Sequence, residues 1–248
     1  LKILTLNLRH NQDRWEDRLP LVVDALHTEQ ADVIGFQEVW LGFQQAHLIA
    51  ERLNKQTPKR PYSVLVEPKW GENPVEGIGM LSRLPVIEHK RLELPEGERV
   101  AQSIRVEVDG KTVDIANTHL HHRPEGDEII RLPQMETLLS WMFGQGERRW
   151  ILMGDMNATP TTTTIQRAKK RLASTYEAIH GAEPPTTFPT PLVSDGYTGL
   201  SIAIDYIFYD SSVLRVKSAQ VIANRPHPDD AQLYPSDHYG LTAEFEII

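Results

Sequence analysis

A series of short motifs places carboxylate, amide or imidazole groups at the ends of apolar stretches, where a fold can aim them at one point. Asn7 follows Leu4-Thr5-Leu6, and Glu38 follows Gly35-Phe36-Gln37. His119 closes Ile115-Ala116-Asn117-Thr118, and Asp155 and Asn157 follow Ile151-Leu152-Met153-Gly154. Asp205 stands inside Ile204-Asp205-Tyr206-Ile207-Phe208, and Asp237-His238 precedes the run from Gly240 to Ile247. A carboxylate that only accepts, one residue from an amide that can donate, suits a metal-bound phosphate and its attacking water. If the strand continues through them, Asp155 and Asn157 share a face.

Glu38 and Asp237, with Asn7, offer hard oxygen ligands that suit Mg2+ or Mn2+. The chain has no cysteine and no H-E-x-x-H sequence that would argue for zinc. A carboxylate among Ile, Tyr and Phe is costly unless paired, so Asp205 needs a partner. His238 is the best candidate, giving an acid–imidazole dyad for water activation. Asn157 and His119 would donate toward a five-coordinate phosphorus. Each residue also has a plainer reading: Asn7, Asp155 and Asp237 as turn residues, Glu38 as a solvated helix start, and His119 as part of a surface patch with His121 and His122.

These residues need a scaffold. Strands are predicted at 2–8, 32–37, 62–66, 77–82, 86–94, 101–108, the segment from Thr112 to His119, 150–155, 202–208, 214–222 and 240–247. Asp109-Gly110 tolerates positive φ and marks a hairpin. Helices are predicted at 19–30, with Asp17 as N-cap and Pro20 in the first turn, and at 43–54, 128–143 and 162–173, with a bend at Pro133. Pro-containing loops at 180–200 and 224–238 would flank a site. Strands and helices do not alternate cleanly, which gives an α/β class with two mostly antiparallel sheets. No linker or repeat divides residues 1–248, so one domain is expected.

Composition sets outer limits. The chain has 248 residues, 40% hydrophobic and 24% charged, ordinary for a globular protein. With 26 Lys+Arg against 34 Asp+Glu, the formal charge is −8, which excludes broad electrostatic capture of nucleic acid but not a local basic patch. No apolar run approaches the about 20 residues of a membrane span, so no transmembrane segment is expected. No signal peptide is visible, which leans toward the cytoplasm, and no protein partner is implied.

Leu6-Asn7, Gln37-Glu38-Val39, Thr118-His119-Leu120, Gly154-Asp155-Met156-Asn157, Ile204-Asp205-Tyr206-Ile207 and Ser236-Asp237-His238 occur in one order across nearly the whole chain. In that order they resemble the endonuclease/exonuclease/phosphatase superfamily. Glu76-Gly77-Ile78-Gly79-Met80-Leu81-Ser82-Arg83 also looks like an inner strand of that group. The resemblance implies a four-layer α-β-β-α sandwich with its sheets face to face, a divalent-metal site at one end, and in-line attack of water on a phosphoester. It implies Glu38 as main metal ligand with Asn7 beside it and Asp237 as a further metal-site carboxylate. Asp155 would position or deprotonate the water, Asn157 and His119 would contact phosphate, and Asp205 and His238 would form the dyad. Leu6 and Trp40 differ from the AP-endonuclease pattern, and Ala203-Ile204-Asp205-Tyr206 differs from the inositol phosphatase pattern.

Arg9, Arg123 and Arg131 lie close in sequence to these positions and could hold phosphate, Arg131 sharing a helix turn with Gln134. Trp40 and Phe188 could stack on a base. The expected function is hydrolysis of a phosphodiester, with nucleic acid as the first substrate class and Mg2+ or Mn2+ as cofactor. A phospholipase C or sphingomyelinase type, or a phosphomonoesterase, is the alternative, and a non-catalytic binding module the remote one.

Overall fold

The structure is a computed structural model describing residues 1–123 and 127–248. Its strands are β1 (Lys2–Asn7), β2 (Val33–Trp40), β3 (Ser63–Pro68), β4 (Glu76–Ser82), β5 (Val86–Glu93), β6 (Val100–Val108), β7 (Lys111–His119), β8 (Trp150–Asp155), β9 (Ala173–Ser174), β10 (Asp205–Tyr209), β11 (Leu214–Ile222) and β12 (Gly240–Ile247). The helices are α1 (Trp15–Glu29), α2 (Gln45–Gln56), α3 (Leu132–Phe143), α4 (Thr163–Lys169) and α5 (Thr175–His180). One six-stranded sheet has the order β11-β12-β1-β2-β4-β3, and the other β5-β6-β7-β8-β10-β9. Among the described residues, β1–β2 and β7–β8 run parallel and the other strand pairs antiparallel.

Alternation along the strands explains the layers. One face of each sheet supplies Ile3, Val33, Met80, Ile115, Ile151, Met153 and Ile207 to a core between the sheets. The opposite face of the first sheet (Leu4, Leu6, Ile34, Phe36) packs on Leu19, Val22, Leu26, Ile49 and Leu53 of α1 and α2. On the second sheet, Ala116, Leu152 and Phe208 pack on Met135, Leu138 and Ile165 of α3 and α4. The result is an α/β sandwich, helices outside two facing sheets.

Two local irregularities steer the site. Between Phe36 and Val39 the β2–β4 register shifts, so Gln37 and Glu38 oppose Ile78 alone. Glu38 takes a left-handed φ of 51° at this bulge, which re-aims its side chain. The bulge leaves carbonyls free of the ladder. Asn117 of the facing sheet supplies its amide to the carbonyls of Phe36 (3.0 Å) and Gly79 (2.9 Å), and accepts from Gln37 Nε2 at 2.7 Å. The two sheets are thereby pinned together beneath Glu38. Gly154 meets a different demand. Its φ is 141°, and a Cβ there would run into the Thr118 carbonyl of β7.

Several predicted boundaries are corrected. Helix α1 begins at Trp15, not residue 19. Its N-cap is Arg14 in a left-handed conformation, Pro20 lies inside the helix, and Asp17 pairs with Arg14 instead of capping. Glu38 lies within β2 instead of closing it. Predicted strand 202–208 starts at Asp205, because Ile202 bridges Phe188 outside the sheet. Pro133 does not bend a helix; it sits in the first turn of α3, after a π-helical turn at Asp127–Arg131. The segment 162–173 is helical only over Thr163–Lys169, where Thr162 caps it, and short β9 and α5 follow. The 180–200 loop contains a 3-10 turn at Pro191–Gly196.

Arg18 holds the loops at the site end together. Fully buried on α1, it donates to the carbonyls of Leu8 (3.1 Å), Gln12 (2.6 Å), Asp13 (2.8 Å) and Pro235 (2.9 Å). Burial pushes its pKa down to about 10, against the pull of Asp237. Substituting Arg18→Met leaves these buried acceptors unpaired, so urea unfolding should show a loss of about 3 kcal/mol. A loss below about 1 kcal/mol would contradict this role.

Candidate active site

Strand register brings the polar residues together. In the second sheet Asp155 is flanked by His119 of β7 and Asp205 of β10 as direct partners. Asn7 ends β1 opposite, beside Gln37. Asn7 Nδ2 reaches Asp155 Oδ2 (3.0 Å) and Glu38 Oε1 (3.2 Å), joining the two sheets. Asn7 therefore turns its NH2 group to the cleft, while its oxygen accepts from the Arg9 backbone N–H at 2.9 Å. Asp155 Oδ2 also lies 3.5 Å from His119 Nε2 and 3.9 Å from His238 Nε2.

Asn157 does not extend the strand. It turns left-handed at φ 48°, and its N–H donates to Asp155 Oδ1 at 2.8 Å. Asp155 thus closes an Asx-turn while its other oxygen, Oδ2, faces Asn7 and the two imidazoles. Asn157 Nδ2 donates to the Leu120 carbonyl at 3.1 Å.

The two imidazoles beside Asp155 have opposite supports. His238 Nδ1 lies 2.9 Å from Asp205 Oδ2. Burial lowers the His238 pKa, but Asp205, Asp237 and Asp155 outweigh it and hold the ring protonated, well above its ordinary value. His119 Nδ1 instead accepts a hydrogen bond from Arg99 Nη1 at 2.9 Å. A guanidinium only donates, so the His119 proton sits on Nε2, facing the cleft. Burial, reinforced by Arg99, drives the His119 pKa well below its ordinary value and keeps this ring neutral. Arg99 Nη2 also meets His122 Nδ1 at 3.2 Å.

The carboxylates diverge as well. Burial would raise the pKa of Glu38, but His10, His119 and His238 hold it well below the carboxylate range. Burial and the neighbouring Asp205 push Asp155 up to about 7. Asp237 is raised by burial, partly offset by His238 and Arg9. Its Oδ2 pairs with Arg9 Nη1 at 2.9 Å, and its Oδ1 accepts from Ser236 Oγ at 3.1 Å.

Glu38, Asp155, Asn157, Asp237, His238, Arg9 and Arg131 all face one cleft of about 780 Å3. Arg131 is buried and also donates to the carbonyls of His121 and Arg123, whereas the Arg123 side chain is exposed. Gln134 binds the His121 N–H and the carbonyls of Pro95 and Glu96, which makes it a support for the loop. Phe188 lies on the His238 ring, with centroids 4.8 Å apart. Trp40 stacks instead on His10 at 5.8 Å.

Sequence reasoning missed His10, Lys69, Arg99 and His122, which line the same cleft, and gave Glu76 no role. Glu76 opens a strand already singled out as inner; the others sit on loops or at a strand edge with no periodic signal. Ligand atoms of His10, Glu38 and Glu76 lie within 4.8 Å of one another, as do those of Asp155, Asp205 and His238. The carboxylate oxygens of Glu38 and Glu76 fit a divalent cation, whereas the second set already holds the positive charge of His238. The buried His119 Nε2, without a hydrogen-bond partner, is aimed at the same space and fits a bound anion.

The raised Asp155 pKa has a stability consequence. A folded-state pKa above the unfolded value near 4 favours folding at low pH, and that contribution is lost as pH rises through about 7. In EDTA-treated protein, Asp155→Asn should therefore gain stability relative to wild type as pH goes from 5 to 8. Urea unfolding at both values checks this; a gap that is constant or narrows would contradict it.

A family model described as "Endonuclease/Exonuclease/phosphatase family" matches residues 4–238. Among curated proteins, Nocturnin of Xenopus laevis is 27% identical over 94% of this chain and 65% of its own length. Carbon catabolite repressor protein 4 homolog 4 of Arabidopsis thaliana is 32% identical over 54% of this chain and 38% of its own. The chain thus spans under two thirds of the length of these relatives. Among solved structures, the human Nocturnin catalytic domain with bound sulfate anion superposes with TM-score 0.79 at 22% identity, covering 100% of this chain and 93% of that one. The mannosyl-6-phosphatase of Bacteroides thetaiotaomicron gives 0.79 at 20%, covering 100% of both chains. Truncated Caenorhabditis elegans TDP2 gives 0.77 at 17%, covering 99% and 96%. By its family match over nearly its whole length, the chain belongs to the endonuclease/exonuclease/phosphatase family, whose members are hydrolases of phosphoester bonds.

Proposed function

We propose that this chain is a divalent-metal-dependent phosphodiesterase, with nucleic acid as its first substrate class. One observation carries the reading: Asp155 Oδ2 sits among Asn7 (3.0 Å), His119 (3.5 Å) and His238 (3.9 Å), with His238 backed by Asp205. Asp155, with a proton affinity near neutrality, is suited to take a proton from water. The protonated His238 and the neutral His119 Nε2–H are suited to donate to phosphate oxygens as charge builds there. Asn157 and Arg9 hold the phosphate in place, and Asp205 orients His238. Asp237 fixes Arg9 across the site. A divalent cation held at Glu38, with Asn7 and Asp237 close by, would supply positive charge to the phosphate and its leaving group.

Support for a base-bearing substrate comes from the wall beside the dyad. Phe188 packs at a tilt against His238 and meets Tyr197 edge-on at 4.9 Å, an apolar wall suited to a ring. A second reading, hydrolysis of a phosphomonoester, is favoured by Lys69, Arg99 and His122 on the cleft, since a monoester carries more charge than a diester. The mannosyl-6-phosphatase likeness agrees with it.

Both readings are tested by one panel: single-stranded RNA, supercoiled DNA, an aryl phosphodiester, a hexose 6-phosphate and sphingomyelin, each with Mg2+, Mn2+ or EDTA. Metal-dependent cleavage of a nucleic acid is expected. Turnover of the hexose phosphate alone would replace the first reading with the second, and turnover of sphingomyelin alone would place the chain on the lipid side. Asp155→Ala and His238→Ala should each cut kcat by about 1,000-fold or more while leaving the fold intact. Near-normal turnover in either variant would overturn the assigned roles.

A further inference from the structure

Among the described residues, Arg99 has no carboxylate partner. It is 4% exposed and lines the cleft. Its side chain donates to imidazoles, from Nη1 to His119 Nδ1 at 2.9 Å and from Nη2 to His122 Nδ1 at 3.2 Å. Its buried Nε–H has no acceptor. Glu38, Asp155 and Glu98 favour the charge from a distance, and none of them forms an ion pair with it. A guanidinium carries five N–H donors, so most of the capacity of this one is unused. A buried cation in that condition is costly until an anion completes it.

A second cation stands beside it. Lys69 also lines the cleft, and burial, followed by the Arg99 charge, brings its pKa down to about 8. The backbone ties the two together. Trp70 Nε1, next to Lys69, donates to the Leu94 carbonyl at 3.1 Å, and the Leu94 N–H donates to the Arg99 carbonyl at 2.9 Å. Glu76 Oε1 pairs with Lys69, which offsets one of the two charges and leaves the other. His122 adds a neutral donor. Its Nδ1 accepts from Arg99, so its proton sits on Nε2.

His119 stands between this group and the reacting position. Its Nδ1 faces Arg99, and its Nε2–H, without an acceptor, faces Asp155 and Glu38. An anion on Arg99 and a phosphate on His119 Nε2 are therefore separated by an imidazole ring. Two phosphates that share an oxygen are too close together to reach both, whereas two phosphates carried across one sugar span that gap. We propose that Arg99, with Lys69 and His122, forms a second anion subsite, which takes a phosphate one sugar away from the reacting one. The inference rests on the reading of the cleft as a phosphoesterase site. It assigns these residues to a second phosphate in place of extra charge on the reacting one. A phosphorylated nucleotide and a sugar bisphosphate share this chemistry.

The full chain in EDTA is titrated by calorimetry with thymidine 3′,5′-bisphosphate, the two thymidine monophosphates and pyrophosphate. Without metal the reacting position keeps the His119, His238 and Arg9 donors, so both phosphates can be held. Wild type should bind the bisphosphate about 30-fold more tightly than either monophosphate, and pyrophosphate no better than a monophosphate. Arg99→Gln should bring the ratio below about 3-fold, and Lys69→Met, which leaves the support of His119 in place, should lower it as well. A structural defect alone would weaken all the ligands together and leave the ratio standing. A wild-type ratio below about 3-fold, a ratio unchanged in Arg99→Gln, or pyrophosphate binding as tight as the bisphosphate would overturn the inference, and the wild-type values decide it even if a variant does not fold. With Mg2+, turnover of 5′-phosphorylated against unphosphorylated dithymidylate, and of a hexose 1,6-bisphosphate against the 6-phosphate, tells a nucleotide from a sugar source. Absence of any turnover would overturn the phosphoesterase reading while the binding ratio still judges the subsite.

Discussion

The Asp155 carboxylate, 1% exposed at the end of a central strand, sets the main constraint on this structure. A buried charge without compensation costs several kcal/mol, so everything around it must donate protons or carry positive charge. The surroundings meet that demand. Asn7 and the Asn157 N–H donate to its two oxygens, and two imidazoles stand within 4 Å. Those donors come from the ends of β1 and β7, the segment before β12 and a turn, so the sandwich must hold both sheets in fixed register for the carboxylate to be tolerated. The Asn117 and Gln37 clamp under the β2 bulge and the Arg18 bonds to the loop carbonyls provide that register.

Opposite supports make the two imidazoles inequivalent. A carboxylate behind His238 keeps it charged, and a guanidinium behind His119 keeps it neutral with its proton toward the cleft. Groups of one residue type are thus separated into a cationic donor and a neutral donor on either side of a single acceptor. Separation of proton affinities by environment is how a fold runs acid and base chemistry at one pH.

Much of this was legible in the sequence because strand ends are local features. An apolar run that stops at Asp, Asn or His can be read without knowing what lies opposite. The two-sheet class and most strands were readable from alternation and the Asp109-Gly110 turn. Asp205 stood out because a carboxylate among Ile, Tyr and Phe demands a partner, and His238 is that partner in the structure. Arg99 was not legible, since its meaning depends on facing His119 from a neighbouring strand. His10 and Lys69 were hidden for a similar reason: loops carry no period, and only the folded cleft brings them to Glu76. Helix α1 starts before the cap that Asp17 suggests, because the chain enters it through a left-handed turn at Arg14. Strand β10 was drawn too long because Ile202 and Ala203 are apolar yet pair outside the sheet or not at all.

The central claim is that Asp205 and His238 act as one unit on the phosphate. A double-mutant cycle measures this most directly, with kcat for a metal-activated aryl phosphodiester in wild type, Asp205→Asn, His238→Ala and the double variant. The account predicts strong non-additivity, the double variant being no more than about 3-fold slower than His238→Ala alone. Losses that multiply would mean that the two residues act independently, and would contradict it.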